Sequence, residues 1–298
     1  MPASLTKLQT RISSIASGLY GDWLADRGNP LAVPMQVLHR GRPIHPIAPV
    51  VSSPQSTLVL LIHGLMGSES VWDFDGAPGQ NYATYLSRRL SANPLCLHYN
   101  SGRAVERNGH ELNAVLDTLV RYWPVPVERI VLIGHSMGGL LIRSACHHAM
   151  LEGRDWVNAV QQCVYIGTPH EGAWLAQHAE RTSRALRSMP ADPIRIIGHV
   201  LNSRSSGIKN LARGGWRNEQ LHPFLPSAAH YAVSGRLPRH RLNPIQTLWG
   251  DGLVDTDSAH ARETNGSIWA GQAMFDGVGH LELAHHPSVA LQLAKWLQ

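Results

Sequence analysis

Ile133-Gly134-His135-Ser136-Met137-Gly138-Gly139 is the stretch on which the reading of this chain turns. It contains the pattern Gly-x-Ser-x-Gly. An apolar, β-type stretch at 129–133 precedes it and a helix-like stretch at 137–150 follows. A serine on a sharp strand-to-helix turn holds its hydroxyl clear of the backbone, as nucleophilic chemistry requires. Gly134 and Gly138 lack the Cβ atoms that would keep the two chain segments apart.

The same rhythm extends outward from the turn. Residues 57–62 form a short, wholly apolar run followed by His63-Gly64-Leu65-Met66-Gly67-Ser68. Helical patterning is expected at 81–90 and 106–123, and buried strands at 94–99 and 162–166. The last of these strands ends in Gly167-Thr168-Pro169-His170-Glu171-Gly172. Strands alternating with helices predict a mostly parallel sheet with helices on both faces. The rhythm breaks at about Ala173 and resumes near His230, with further strands expected at 230–234 and 272–275 and a closing helix at 287–297. The expected organisation is an N-terminal helical extension at 1–50, an α/β core at 51–172 and 231–298, and a cap or lid inserted at 173–230. An insertion there would lie over the carboxyl ends of the strands, where open α/β sheets bind ligands. Trp174, Leu175, Trp216, Leu221, Phe224 and Leu225 either line an acyl pocket or glue the cap to the body. In the first segment Leu5, Leu8, Ile12, Ile15 and Leu19 recur at helical spacing. That face either packs on the body or makes peripheral contact with a membrane or partner.

Composition narrows the function classes. The chain has 298 residues, 43% of them apolar and 16% charged, enough for a substantial core and unlike a disordered chain. A net charge of +5 is spread over scattered arginines without a zinc-finger or RNA-binding pattern, so no nucleic acid is expected as a partner. The three cysteines lie apart within apolar segments, which reads as free thiols in a reducing compartment. With no charged, apolar leader at Met1–Leu5 and no run of about 20 apolar residues, the expected location is the cytoplasm. The 18 histidines include the adjacent pairs His147-His148 and His285-His286 but no metal-ligand spacing. No metal and no cofactor are expected.

Acyl transfer through serine needs a base, an acid to orient it, and two N–H donors for the charge that develops on the carbonyl oxygen. The base expected here is His280, in the glycine-bearing loop Gly277-Val278-Gly279-His280 past the last strand. The acid is Asp251, in Trp249-Gly250-Asp251-Gly252-Leu253-Val254, with Asp255 and Asp257 as competitors. The order Ser136, Asp251, His280 is the one expected for such a sheet. The oxyanion donors are the N–H groups of Leu65 and Met137.

On these five stretches, from about Thr57 onward, the chain resembles the α/β-hydrolase superfamily, and within it the bacterial lipases and esterases. The resemblance implies a carboxylic ester or lipid substrate with an apolar acyl chain. Acyl transfer to an alcohol by the same three residues, and a non-catalytic binding module, are the competing readings. Oligomeric state is not legible.

Overall fold

Successive residues of a strand point to opposite faces of its sheet, so a strand buried on both faces must be apolar at every position. Strand β3 (Thr57–Ile62) meets this condition: all but its first residue are buried. Leu58, Leu60 and Ile62 enter one hydrophobic cluster, and Val59 and Leu61 enter the other. Strand β5 (Arg129–His135) divides the same way, with Ile130 and Leu132 on one face and Val131 and Ile133 on the opposite one. The computed structural model describes residues 33–77, 79–170, 222–236 and 268–298.

The remaining strands are β1 (Gln36–His39), β2 (Arg42–Ile44), β4 (Asn93–His98), β6 (Val160–Ile166), β7 (Ala229–Arg236) and β8 (Trp269–Asp276). The eight form one sheet in the order β2-β1-β4-β3-β5-β6-β7-β8. From β4 through β8 every pairing is parallel, while β1 pairs antiparallel with both β2 and β4.

Helices cover both faces. The first cluster seats α2 (Val105–Arg121) through Leu112, Leu116 and Leu119, and α3 (Met137–Leu151) through Leu140, Leu141 and Ala145. Gly109 lets these two helices approach closely, since a Cβ there would lie 2.1 Å from Ser144 Oγ. The second cluster seats α1 (Tyr82–Leu90) and α4 (Pro287–Leu297). Asn81 and Thr84 start α1 with a reciprocal capping box, and Pro287 stands in the first turn of α4, where its missing N–H costs nothing.

Strands β1 and β2 were not anticipated within residues 1–50. Their two-residue turn, Arg40-Gly41, has φ of 51° and 74°, the paired positive values of a type I′ hairpin. Arginine is an unusual occupant of such a turn, and the strands are too short for alternation to register. The helix expected from Leu5 to Leu19 lies outside the described residues. Of the expected cap at 173–230, the described part begins at residue 222. There Phe224 and Leu225 are buried in the first core cluster, where they act as glue. Trp174, Leu175, Trp216 and Leu221 lie outside the described residues.

All three cysteines are free thiols, and burial pushes Cys96 up to about 12. Among the described residues no group of three or more His, Cys, Asp or Glu is arranged to hold a metal ion. No helix among them is long and apolar enough to cross a membrane.

Candidate active site

The turn after β5 is tight enough to force an unusual backbone. Ser136 has φ 53° and ψ −122°, in the positive-φ half of the map that β-substituted residues avoid. The surrounding chain holds it there. Its N–H donates to the carbonyl of Ile166 at 2.8 Å, and its own carbonyl accepts from Gly139 at 3.1 Å. The two flanking glycines are required by close approach. A Cβ on Gly134 would fall 2.4 Å from the Gly139 nitrogen, and one on Gly138 would fall 2.3 Å from the carbonyl oxygen of Ile62. Strain of this kind costs about 1–3 kcal/mol and persists where the surroundings over-determine it.

The loop after β3 comes in beside the serine. A Cβ on Gly64 would lie 2.9 Å from Ser136 Cβ and 3.2 Å from the His135 carbonyl. The loop is held by short-range ties: the Gly64 carbonyl accepts from His63 Nδ1 at 2.8 Å and from the Gly67 N–H at 3.2 Å. The Met66 N–H donates to Ser101 Oγ at 2.9 Å. Tyr99 stacks on the His63 ring at 4.5 Å and donates its hydroxyl to the His63 carbonyl at 2.9 Å. Among the described residues, neither the Leu65 nor the Met137 N–H donates to a backbone carbonyl outside regular structure. Met137 opens α3, and the first N–H groups of a helix lack intrahelical acceptors. Gly64→Ala is expected to lower kcat by about 10²-fold with little loss of secondary structure, because an ångström of misplacement at a reacting centre costs about that much. Ester turnover and circular dichroism check it.

The third element is the loop after β8. Gly277, at φ 79°, turns the chain and ties its N–H to the Arg236 carbonyl at 2.7 Å. His280 follows, and its ring lies over Gly167: a Cβ at 167 would be 2.8 Å from His280 Nδ1. Gly167 is bonded covalently to Ile166, whose carbonyl receives the Ser136 N–H. The loop after β8 thus carries the His280 ring across to the end of β6, the strand next to β5 and its Ser136 turn.

Burial sets the electrostatics of this rim. His63 and His135 are both pushed down to about 4, in each case chiefly because burial penalises the charged ring. Both rings are neutral near pH 7.

The family model of the PGAP1-like alpha/beta domain matches residues 54–188. In structure the chain is similar to an alpha/beta hydrolase fold protein from Chitinophaga pinensis, with 12% identity, a TM-score of 0.52, and coverage of 83% of this chain and 91% of that one. It is also similar to an esterase from Pyrococcus furiosus, with 13% identity, a TM-score of 0.53, and coverage of 82% and 81%. The chain has the α/β-hydrolase fold. A third such structure, an esterase of the bacterial hormone-sensitive lipase family, has 16% identity and a TM-score of 0.50, covering 89% of this chain and 82% of that one. No curated protein sequence matches.

Within this fold the described part of the expected site lies along one rim. Ser136 and Met137 stand at the end of β5, Leu65 just past β3, and His280 just past β8. Asp251, with its competitors Asp255 and Asp257, lies outside the described residues. Two side chains were missed as participants at this rim. The His135 ring ties the serine turn to the loop bearing His280, and the His63 ring braces its own loop at the Gly64 carbonyl and stacks on Tyr99. Sequence spacing carries no signal for such ties, because the His135 contact spans 145 residues.

Proposed function

We propose that this α/β-hydrolase is a serine hydrolase of carboxylic esters, a carboxylesterase or lipase. The observation that supports this reading most is the strained, positive-φ backbone of Ser136 at the end of β5, with the His280 ring over Gly167, one residue past the Ile166 carbonyl that the Ser136 N–H meets. In the proposed cycle, Ser136 Oγ attacks the ester carbonyl and passes its proton to His280. Asp251 accepts a hydrogen bond from the imidazole, fixing its tautomer and stabilising the imidazolium. The leaving alcohol takes the proton from His280. A water activated by the same imidazole then releases the acid and regenerates the serine. All of these groups belong to the chain, so the cycle needs no cofactor.

The oxyanion would rest on the N–H groups of Leu65 and Met137. Across a trans peptide the C=O and N–H point in opposite directions. His63 and Gly67 hold the Gly64 carbonyl from one side. That turns the Leu65 N–H to the other, and supports its assignment as a preformed donor. Loss of one such donor typically costs about 10²–10³ in turnover. The free cysteines fit a cytoplasmic location.

A fluorophosphonate should label the protein stoichiometrically at Ser136, and a p-nitrophenyl ester should be hydrolysed with loss of activity on labelling. Absence of both reactions in the folded protein would rule the reading out. A series of acyl chain lengths then separates lipase from short-chain esterase: preference for ten or more carbons indicates the former, and two to four the latter.

A further inference from the structure

His135 fills the unspecified position of Gly-x-Ser-x-Gly, and the cycle proposed above does not use it. Its ring is only 2% exposed. Nε2 lies 2.9 Å from the main-chain oxygen of His280. A carbonyl can only accept, so Nε2 carries the hydrogen and donates, which leaves Nδ1 as the bare nitrogen of a neutral ring. Burial keeps the ring neutral down to about pH 4. The two imidazoles also lie against each other, with centroids 4.8 Å apart and planes tilted by 43°. Trp72, itself buried, presents a near-perpendicular contact to the His135 ring at 6.4 Å and 82°.

The loop bearing His280 is held by several ties. Its backbone ties lie on either side: Gly277 to Arg236, Leu283 to Gly279, and Ala284 to Leu281. The main-chain carbonyl of His280 meets the side chain immediately before the nucleophile. Serine and base, far apart in the chain, are thus linked through one hydrogen bond and one peptide bond.

We propose that His135 is a positioning residue, whose buried Nε2–H grips the main-chain carbonyl of His280 and sets the distance of the base from the serine. This rests on the serine-hydrolase reading. The role demands a donor about two bonds past Cγ on a stiff, uncharged side chain at a buried site. Glutamine has a donor with that reach; asparagine, ending about where Nδ1 stands, does not.

The test compares wild type with His135→Asn and His135→Gln. Butyrate ester turnover, the rate of fluorophosphonate inactivation and circular dichroism are measured for each. For His135→Asn, kcat and the inactivation rate are both expected to fall by about 30-fold or more, with KM changed less than about three-fold. His135→Gln should recover at least about ten-fold of that loss. The proposal is overturned if folded His135→Asn stays within about three-fold of wild type, or if both variants fold and are equally impaired, which would indicate a packing role.

A second readout does not depend on activity or on the variants folding. In wild type labelled with 15N-histidine, the His135 ring should show a slowly exchanging Nε2–H coupled to the carbonyl of 280. An Nδ1–H tautomer or a fast-exchanging ring proton overturns the proposal. Wild type that neither turns over nor labels, yet shows the coupled Nε2–H, would sink the hydrolase reading while leaving the tie between the two loops intact.

Discussion

Ser136→Ala and Ser136→Gly are expected to abolish ester turnover alike, by about 10⁴-fold or more, yet to move stability in different directions. Both remove the hydroxyl. They differ in what they leave of the backbone strain. Alanine keeps a Cβ at φ 53°, ψ −122°, so the cost persists. Glycine populates that region readily, which relieves about 1–3 kcal/mol, set against about 0.5–1 kcal/mol for the greater freedom of an unfolded glycine. Ser136→Gly should therefore be the more stable of the two by about 1 kcal/mol. Urea unfolding of both variants checks this. Equal midpoints would mean that the turn carries no strain at the serine, and residual turnover in either variant would mean that the hydroxyl is not the nucleophile.

The second large effect is acid lability. His63 and His135 are held at about 4 when folded, against a reference of 6.5 for an exposed ring. The folded pKa is depressed, so the unfolded chain binds more protons throughout the interval between the two values. Stability from these groups is fully present above about pH 6.5 and is lost as pH falls toward 4. At pH 5 each ring withdraws about 2 kcal/mol, or about 4 kcal/mol for the pair, from a total that in domains of this kind is about 5–15 kcal/mol. Thermal unfolding at pH 7 and pH 5 should show a marked drop in midpoint, and His135→Gln should remove about half of the slope. An unchanged midpoint between these pH values would mean that neither ring is buried neutral.

Much of the core could be read from the chain because its strands are buried on both faces. A run such as Leu58-Val59-Leu60-Leu61-Ile62 has little alternative but the middle of a parallel sheet, and the helix between β4 and β5 repeats apolar residues at the right period. The serine turn was legible through its glycines: the three at fixed offsets are explained by contacts of 2.1–2.4 Å that no side chain could tolerate. The β1–β2 hairpin was missed because its strands have only four and three residues and turn at Arg40-Gly41 without the usual Asn-Gly signal. Strand β7 extends beyond its expected ends, since Ala229, Gly235 and Arg236 carry no strand signature of their own. The parts of the site hidden from sequence are side chains whose partners are main-chain carbonyls. Any residue can supply a carbonyl, so nothing at position 280 advertises that His135 reaches it, and nothing at Gly64 announces His63.

The way the sheet is fastened between β6 and β7 bears on how the protein could be re-engineered. Ile166 and Val233 are partners in register, and the Gly167 N–H closes on the Val233 carbonyl at 2.8 Å. The end of β6 is thus anchored on the middle of β7, while the start of β7 is anchored by pairing of Ala229 with Gln162. Closing a loop between fixed ends becomes harder only with the logarithm of its length, at about 0.6 kcal/mol per doubling. Changes in chain length between residues 171 and 221 should therefore leave the pairing of β6 with β7 in place, so long as Phe224 and Leu225 keep their seats in the core.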